Sequence, residues 1–137
     1  MKPLFQKVDC IRLPVPDLDA ALGFYRDTFG HALIWRSGTA AGLRLPETDC
    51  ELVLYTDGSE EETDWKVASA DAAADAFVRA GGSLVEAPFD IPIGRCAVVR
   101  DPWGNRLVLL DTSKGTFVTD SEGNILGLRK PPGPGDS

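Results

Sequence analysis

The sequence predicts an α+β fold built from two tandem βαβββ modules, followed by a small C-terminal hairpin. Three observations carry this. The stretch from Val8 to Gly30, VDCIRLPVPDLDAALGFYRDTFG, passes from an alternating extended run through a proline-bracketed turn into an amphipathic helical pattern. Asp64 to Gly82 repeats that plan more weakly. The turn Asp101-Pro102-Trp103-Gly104-Asn105 closes the second copy with a strong hairpin signal. The aspartates expected to open the two helices, Asp17 and Asp71, lie 54 positions apart. A period that long, occurring twice, marks a duplicated unit rather than a solenoid, which needs three or more repeats.

In the first module, Val8 to Val15 is the opening strand, and Pro14 and Pro16 sit at its end, where a missing N–H is tolerated. Asp17 stands where a helix N-cap is needed. Leu18, Leu22, Tyr25 and Phe29 follow on one helical face, and Gly30 stops the helix. His31–Arg36, Gly42–Leu45 and Glu51–Tyr55 are the next three strands, and the acidic segment Thr56–Thr63 is a polar linker. In the second module, Asp64–Ser69 is a strand, and Asp71 opens a helix with Ala73, Ala76, Phe77 and Ala80 on its apolar face. Gly81-Gly82 ends that helix, and Leu84–Glu86, Arg95–Arg100 and Arg106–Asp111 are strands. The loop Ala87–Gly94 (APFDIPIG) is expected to form a rim or gate. Thr116–Thr119 and Asn124–Leu128 flank a Ser-Glu-Gly turn and make the extra hairpin. The resulting organisation is residues 1–57, 58–112, a hairpin at 113–130 and a disordered tail at 131–137.

At 137 residues, the chain is long enough to bury a core without metals or disulfides. A formal net charge of −7 makes nucleic acid and anionic membranes poor partners. No apolar run is long enough to span a bilayer, and the N-terminal MKPLFQK lacks a signal-peptide core, so a cytoplasmic location is expected. Cys10, Cys50 and Cys96 fit neither a disulfide framework nor a zinc knuckle. Cys50 and Cys96 are expected to be small, half-buried strand residues.

The segments VDCIRLPVPDLDAALGFYRDTFG and GRCAVVRDPWGNRLVLLD resemble the vicinal oxygen chelate superfamily of glyoxalases, extradiol dioxygenases, methylmalonyl-CoA epimerases and fosfomycin- and bleomycin-resistance proteins. The resemblance runs from about Val8 to Asp111. It implies curved mixed sheets whose concave faces enclose a cavity, and a homodimer. In metal-dependent members of that superfamily, ligands come from the first and last strands of each module, leaving positions open for a chelating substrate. The corresponding residues here are Cys10, Glu51, Asp64 and Val108. Valine cannot ligate, histidine is absent from the set, and a thiolate beside carboxylates mixes soft and hard donors. No cofactor is therefore expected. A divalent metal held by Cys10, Glu51 and Asp64 is the alternative.

Strand alternation sets the inward-facing residues. With Cys10 inward, Arg12 joins it; Val53 and Tyr55 follow Glu51, Lys66 follows Asp64, and Arg106 flanks Val108. These cations on an apolar wall suit an anionic or carbonyl-bearing small molecule, while the competing expectation leaves their heads in water at strand ends. Trp35, Tyr55 and Trp103 could stack on a planar ligand, with core packing as the plainer role. Trp65 has the opposite parity to Lys66. The leading expectation is a metal-independent protein of the bleomycin-resistance type that sequesters or senses a small aromatic or anionic ligand. The rivals are a metal-dependent lyase, isomerase or dioxygenase of the glyoxalase type, and an interaction module working through its C-terminal hairpin.

Overall fold

The computed structural model describes residues 2–131, so most of the expected tail lies outside the described residues. Contacts group the chain into two compact units. One holds Asp9–Thr63 with Val118–Gly127; the other holds Asp64–Phe117 with the segments before Asp9 and from Leu128 onward.

The first unit contains β1 (Lys7–Pro14, beginning in the other unit), α1 (Leu18–Leu22), a π-helical continuation (Gly23–Thr28), β2 (Leu33–Arg36), β3 (Ala40–Arg44) and β4 (Glu51–Tyr55). Its strands are ordered β2-β3-β4-β1. β1 runs parallel to β4, with Cys10 opposite Glu51 and Arg12 opposite Val53, while β2, β3 and β4 pair antiparallel. The period of two divides β1, β3 and β4 into two faces, while a register irregularity between Leu33 and Trp35 of β2 sends Leu33 to the α1 side and Trp35 to the other. Ala41, Leu43 and Leu54 meet Leu18 and Leu22 of α1 on one face, and Cys10, Ala40, Val53 and Tyr55 gather with Trp35 in a separate cluster.

Asp17 caps α1 as expected, its extended backbone leading in and its carboxylate accepting from Ala20 N at 3.0 Å. The expected four-residue face fails at its far end, because Phe29 is 60% exposed. The helix widens to π geometry over Gly23–Thr28, with Phe29 N–H donating to the Phe24 carbonyl five residues back. Wider turns advance the apolar stripe less per residue, so a spacing fitted to 3.6 residues per turn carries Phe29 off the core face. Tyr25 still packs there, and Gly30 (φ +81°) ends the element.

The second unit contains most of β5 (Glu62–Lys66), then α2 (Ala70–Arg79), β6 (Ser83–Ile91), β7 (Gly94–Arg100) and β8 (Arg106–Leu110), ordered β5-β8-β7-β6. β5 is parallel to β8, with Asp64 opposite Val108. Val67, Ala73, Ala74, Ala97, Val99 and Leu109 form the helix-side core, with Phe5 and Trp65 packed against it. Cys96, Val98 and Val108 cluster separately with Ile91.

Two expectations are corrected in this unit. The N-cap of α2 is Ser69, whose hydroxyl accepts from Ala72 N at 3.1 Å; Asp71 lies inside the first turn, where its charge suits the positive helix end. The expected rim loop Ala87–Gly94 is mostly strand. β6 continues to Ile91, and only Pro92 and Ile93 turn the chain back to Gly94. β6 pairs only with β7 and is bulged on both sides of Glu86, an edge setting that accommodates Pro88.

β9 (Thr116–Thr119) and β10 (Ile125–Arg129) form the C-terminal hairpin. Its tip copies the DPWGN turn. In Asp101-Pro-Trp-Gly-Asn105, Asp101 Oδ1 accepts from Trp103 N and Asn105 N while Oδ2 accepts from the Asn105 amide. In Asp120-Ser-Glu-Gly-Asn124, Asp120 makes the same three bonds to Glu122 N, Asn124 N and the Asn124 amide. Each turn places its glycine at positive φ. Arg36 N–H donates to the Gly123 carbonyl, tying this tip to β2.

Candidate functional site

The face of the first unit opposite α1 carries the candidate site. Cys10 on β1, Ala40 on β3, and Val53 and Tyr55 on β4 are all buried there, and Trp35 from β2 packs against them. Trp35 donates its Nε1–H to Glu51 Oε1 at 2.6 Å. The indole crosses the sheet over Gly42, where an added Cβ would fall 2.6 Å from Trp35 Cε2 and 2.7 Å from Glu51 Oε1. Glycine at this point of β3 is what lets indole and carboxylate meet.

The Arg12 guanidinium stacks on the Tyr55 ring, its central carbon 4.5 Å from the centroid. Arg12 Nε is buried and has no hydrogen-bond partner among the described residues; Glu62 Oε2 is 3.8 Å away. The Tyr55 hydroxyl donates to the Glu60 carbonyl. Burial pushes the Tyr55 phenol up from its ordinary value, and the Glu62 carboxylate adds to this, outweighing the opposite pull of Arg12. The structure therefore brings Cys10, Arg12, Trp35, Glu51, Val53 and Tyr55 onto one face, as alternation along β1 and β4 anticipates.

In the second unit, Asp64 is 3% exposed on β5, and Val108 sits in the Cys96 and Val98 cluster. Lys66 is half-buried and Arg106 is exposed at the start of β8. Trp103 stands 84% exposed at its turn tip, outside that cluster. Trp65 packs on Phe5, ring centroids 5.0 Å apart, on the helix side. Cys10, Cys50 and Cys96 form no disulfide among the described residues and are all buried; Cys50 and Cys96 are thus more buried than expected, and Cys50 precedes β4 rather than lying in it. His31 is half-buried, its Nδ1 3.1 Å from the Arg44 carbonyl. The Trp35–Glu51 bond had no signal in the sequence, since its partners lie sixteen residues apart on non-adjacent strands.

A profile of the Glyoxalase/Bleomycin resistance protein/Dioxygenase superfamily matches residues 7–109. The chain belongs to this superfamily. Among curated proteins, no sequence matches it. Among solved structures, it is similar to methylmalonyl-CoA epimerase from Mycobacterium tuberculosis, with a TM-score of 0.67 and 20% identity over 81% of this chain and 91% of that one. A Streptomyces coelicolor methylmalonyl-CoA epimerase variant in complex with 2-nitronate-propionyl-CoA gives a TM-score of 0.66 and 22% identity, covering 80% and 99%. An NAD-dependent benzaldehyde dehydrogenase from Legionella pneumophila gives a TM-score of 0.62 and 20% identity, covering 75% of this chain and 97% of that one. These likenesses are likenesses of fold.

The four residues that the resemblance puts at metal-ligand positions lie as two register pairs, Cys10 with Glu51 and Asp64 with Val108. The side chains present are a poor match to a divalent ion. Val108 offers no donor, Glu51 already accepts from Trp35, and each pair supplies two donors at most. Among the described residues, no group of three or more His, Cys, Asp or Glu side chains could hold a metal. No helix of the described residues is long and apolar enough to cross a membrane.

Proposed function

We propose that this superfamily member is a metal-independent small-molecule binder that sequesters or senses an aromatic or anionic ligand on the first unit's sheet face. The observation that supports it most is Arg12. Its guanidinium is stacked on Tyr55, and its buried Nε retains hydrogen-bonding capacity. The Arg12 side chain is still 30% exposed, so the guanidinium can donate to a ligand carbonyl or carboxylate. Trp35 and Tyr55 offer aromatic surface, and Cys10, Ala40 and Val53 keep the floor small and apolar. Lys66, Trp103, Arg106 and Val108 form a separate proposed set of binding residues within the second unit. The working form is a cytoplasmic homodimer.

A thermal-shift screen against aromatic and anionic metabolites tests the reading. At least one compound raises Tm in the wild type, and Arg12→Ala abolishes that shift. No shift with any compound would overturn it. The fold shared with the epimerases motivates one second reading, a divalent-metal-dependent lyase, isomerase or dioxygenase using Cys10, Glu51 and Asp64. Elemental analysis separates the two: stoichiometric zinc, nickel, manganese or iron that is lost in Glu51→Gln would establish the second and defeat the first.

A further inference from the structure

One carboxylate and one aromatic ring converge on a single guanidinium in the first unit. Arg12 lies over Tyr55, and Glu62 Oε2 sits 3.8 Å from Arg12 Nε. That separation balances charge without using the Nε hydrogen bond, and Nε has no other partner among the described residues. The segment between β4 and β5 is pinned to the same ring. The Tyr55 hydroxyl donates to the Glu60 carbonyl, and Gly58 passes so close that an added Cβ would fall 3.0 Å from Tyr55 Cζ and nearer still to Cε2. This pinning delivers Glu62, the first residue of β5, to the guanidinium. The side chains of Arg12 and Glu62 are 30% and 24% exposed, so their interaction is screened less than that of a surface pair.

A ligand accepting from Arg12 would therefore meet a carboxylate that already compensates the cation. A ligand carboxylate there would face Glu62 as a like charge at short range, whereas a neutral carbonyl would accept the same hydrogen bond without that repulsion. We propose that Glu62 is a specificity-determining residue that makes the Arg12–Tyr55 wall select uncharged, carbonyl-bearing aromatic molecules over aromatic carboxylates. This rests on the reading that Arg12 anchors the ligand.

The test titrates benzamide and benzoate against wild-type protein, Arg12→Ala, Glu62→Gln and, as a second removal of the same charge, Glu62→Ala. The wild type binds benzamide more tightly than benzoate, and Arg12→Ala binds neither. Removing the Glu62 charge lowers the benzamide-to-benzoate preference by about tenfold, the scale of one close like-charge contact that is partly screened. Arg12-dependent binding with a preference unchanged in both Glu62 variants, or a wild type that prefers benzoate, overturns the selection by Glu62 and leaves the Arg12 reading standing. Binding of neither probe to the wild type overturns both.

Discussion

Asp111→Asn should be among the most damaging conservative substitutions in this chain. Asp111 follows β8 directly and is 4% exposed. Its Oδ2 accepts from Ala70 N at 2.8 Å, the first residue of α2, and its Oδ1 accepts from Arg95 N at 2.9 Å, Ser113 N at 3.1 Å and Ser113 Oγ at 2.7 Å. One carboxylate thus holds the start of α2, the start of β7 and the chain leaving β8. An asparagine amide in the Oδ2 position would turn a donor toward the Ala70 N–H, and Ala70 is fully buried. Losing a charge-assisted hydrogen bond and stranding a buried N–H together cost about 3 kcal/mol. In a domain of this size that lowers Tm by roughly 10 °C, read by calorimetry at pH 7. Burial alone would push the Asp111 carboxyl up, but the hydrogen bonds from Ala70, Ser113 and Arg95 outweigh it and hold the group below 3.8. The folded carboxyl therefore titrates lower than the unfolded one. Its stabilisation is complete above the ordinary carboxylate range and is lost as pH falls through the depressed folded value. Asp90, Asp101 and Asp120 are also held low by hydrogen bonds and titrate in both proteins, so the informative quantity is the difference in Tm. That difference narrows as pH drops from about 5 toward 2. A variant melting within about 2 °C of wild type at pH 7, or a gap that stays constant into acid, would refute the assignment.

Gly42→Ala forces a methyl between Trp35 and Glu51 and should cost about 1–3 kcal/mol by overpacking. In a Trp65→Phe, Trp103→Phe background, the remaining indole emission should shift red as Trp35 is displaced from its half-buried seat. Asp101→Ala and Asp120→Ala each remove the acceptor that closes a five-residue turn, so both should lower Tm, with Asn105 and Asn124 amide exchange accelerated at the affected turn alone. Trp103→Ser should change stability by no more than about 0.5 kcal/mol in chemical denaturation, because the ring is 84% exposed.

Local and periodic signals in this chain are readable without its tertiary structure, because they depend on neighbours along the chain. The Asp17 cap, the bounds of Glu51–Tyr55 and Thr116–Thr119, the DPWGN turn and the split of β1 and β4 into two faces are all of that kind. Alternation alone also puts Cys10, Arg12, Val53 and Tyr55 on one side. Contacts made at a distance decide the rest. The π turn that carries Phe29 outward, the extension of β6 past Pro88 and the choice of Ser69 over Asp71 as cap each depend on packing or pairing that local preference does not specify. The Trp35–Glu51 bond, the Glu62 carboxylate beside Arg12 and the four bonds into Asp111 join residues sixteen, fifty and up to forty-one positions apart. A hydrogen bond or an ion pair is a matter of ångströms and angles, and only the folded backbone supplies those.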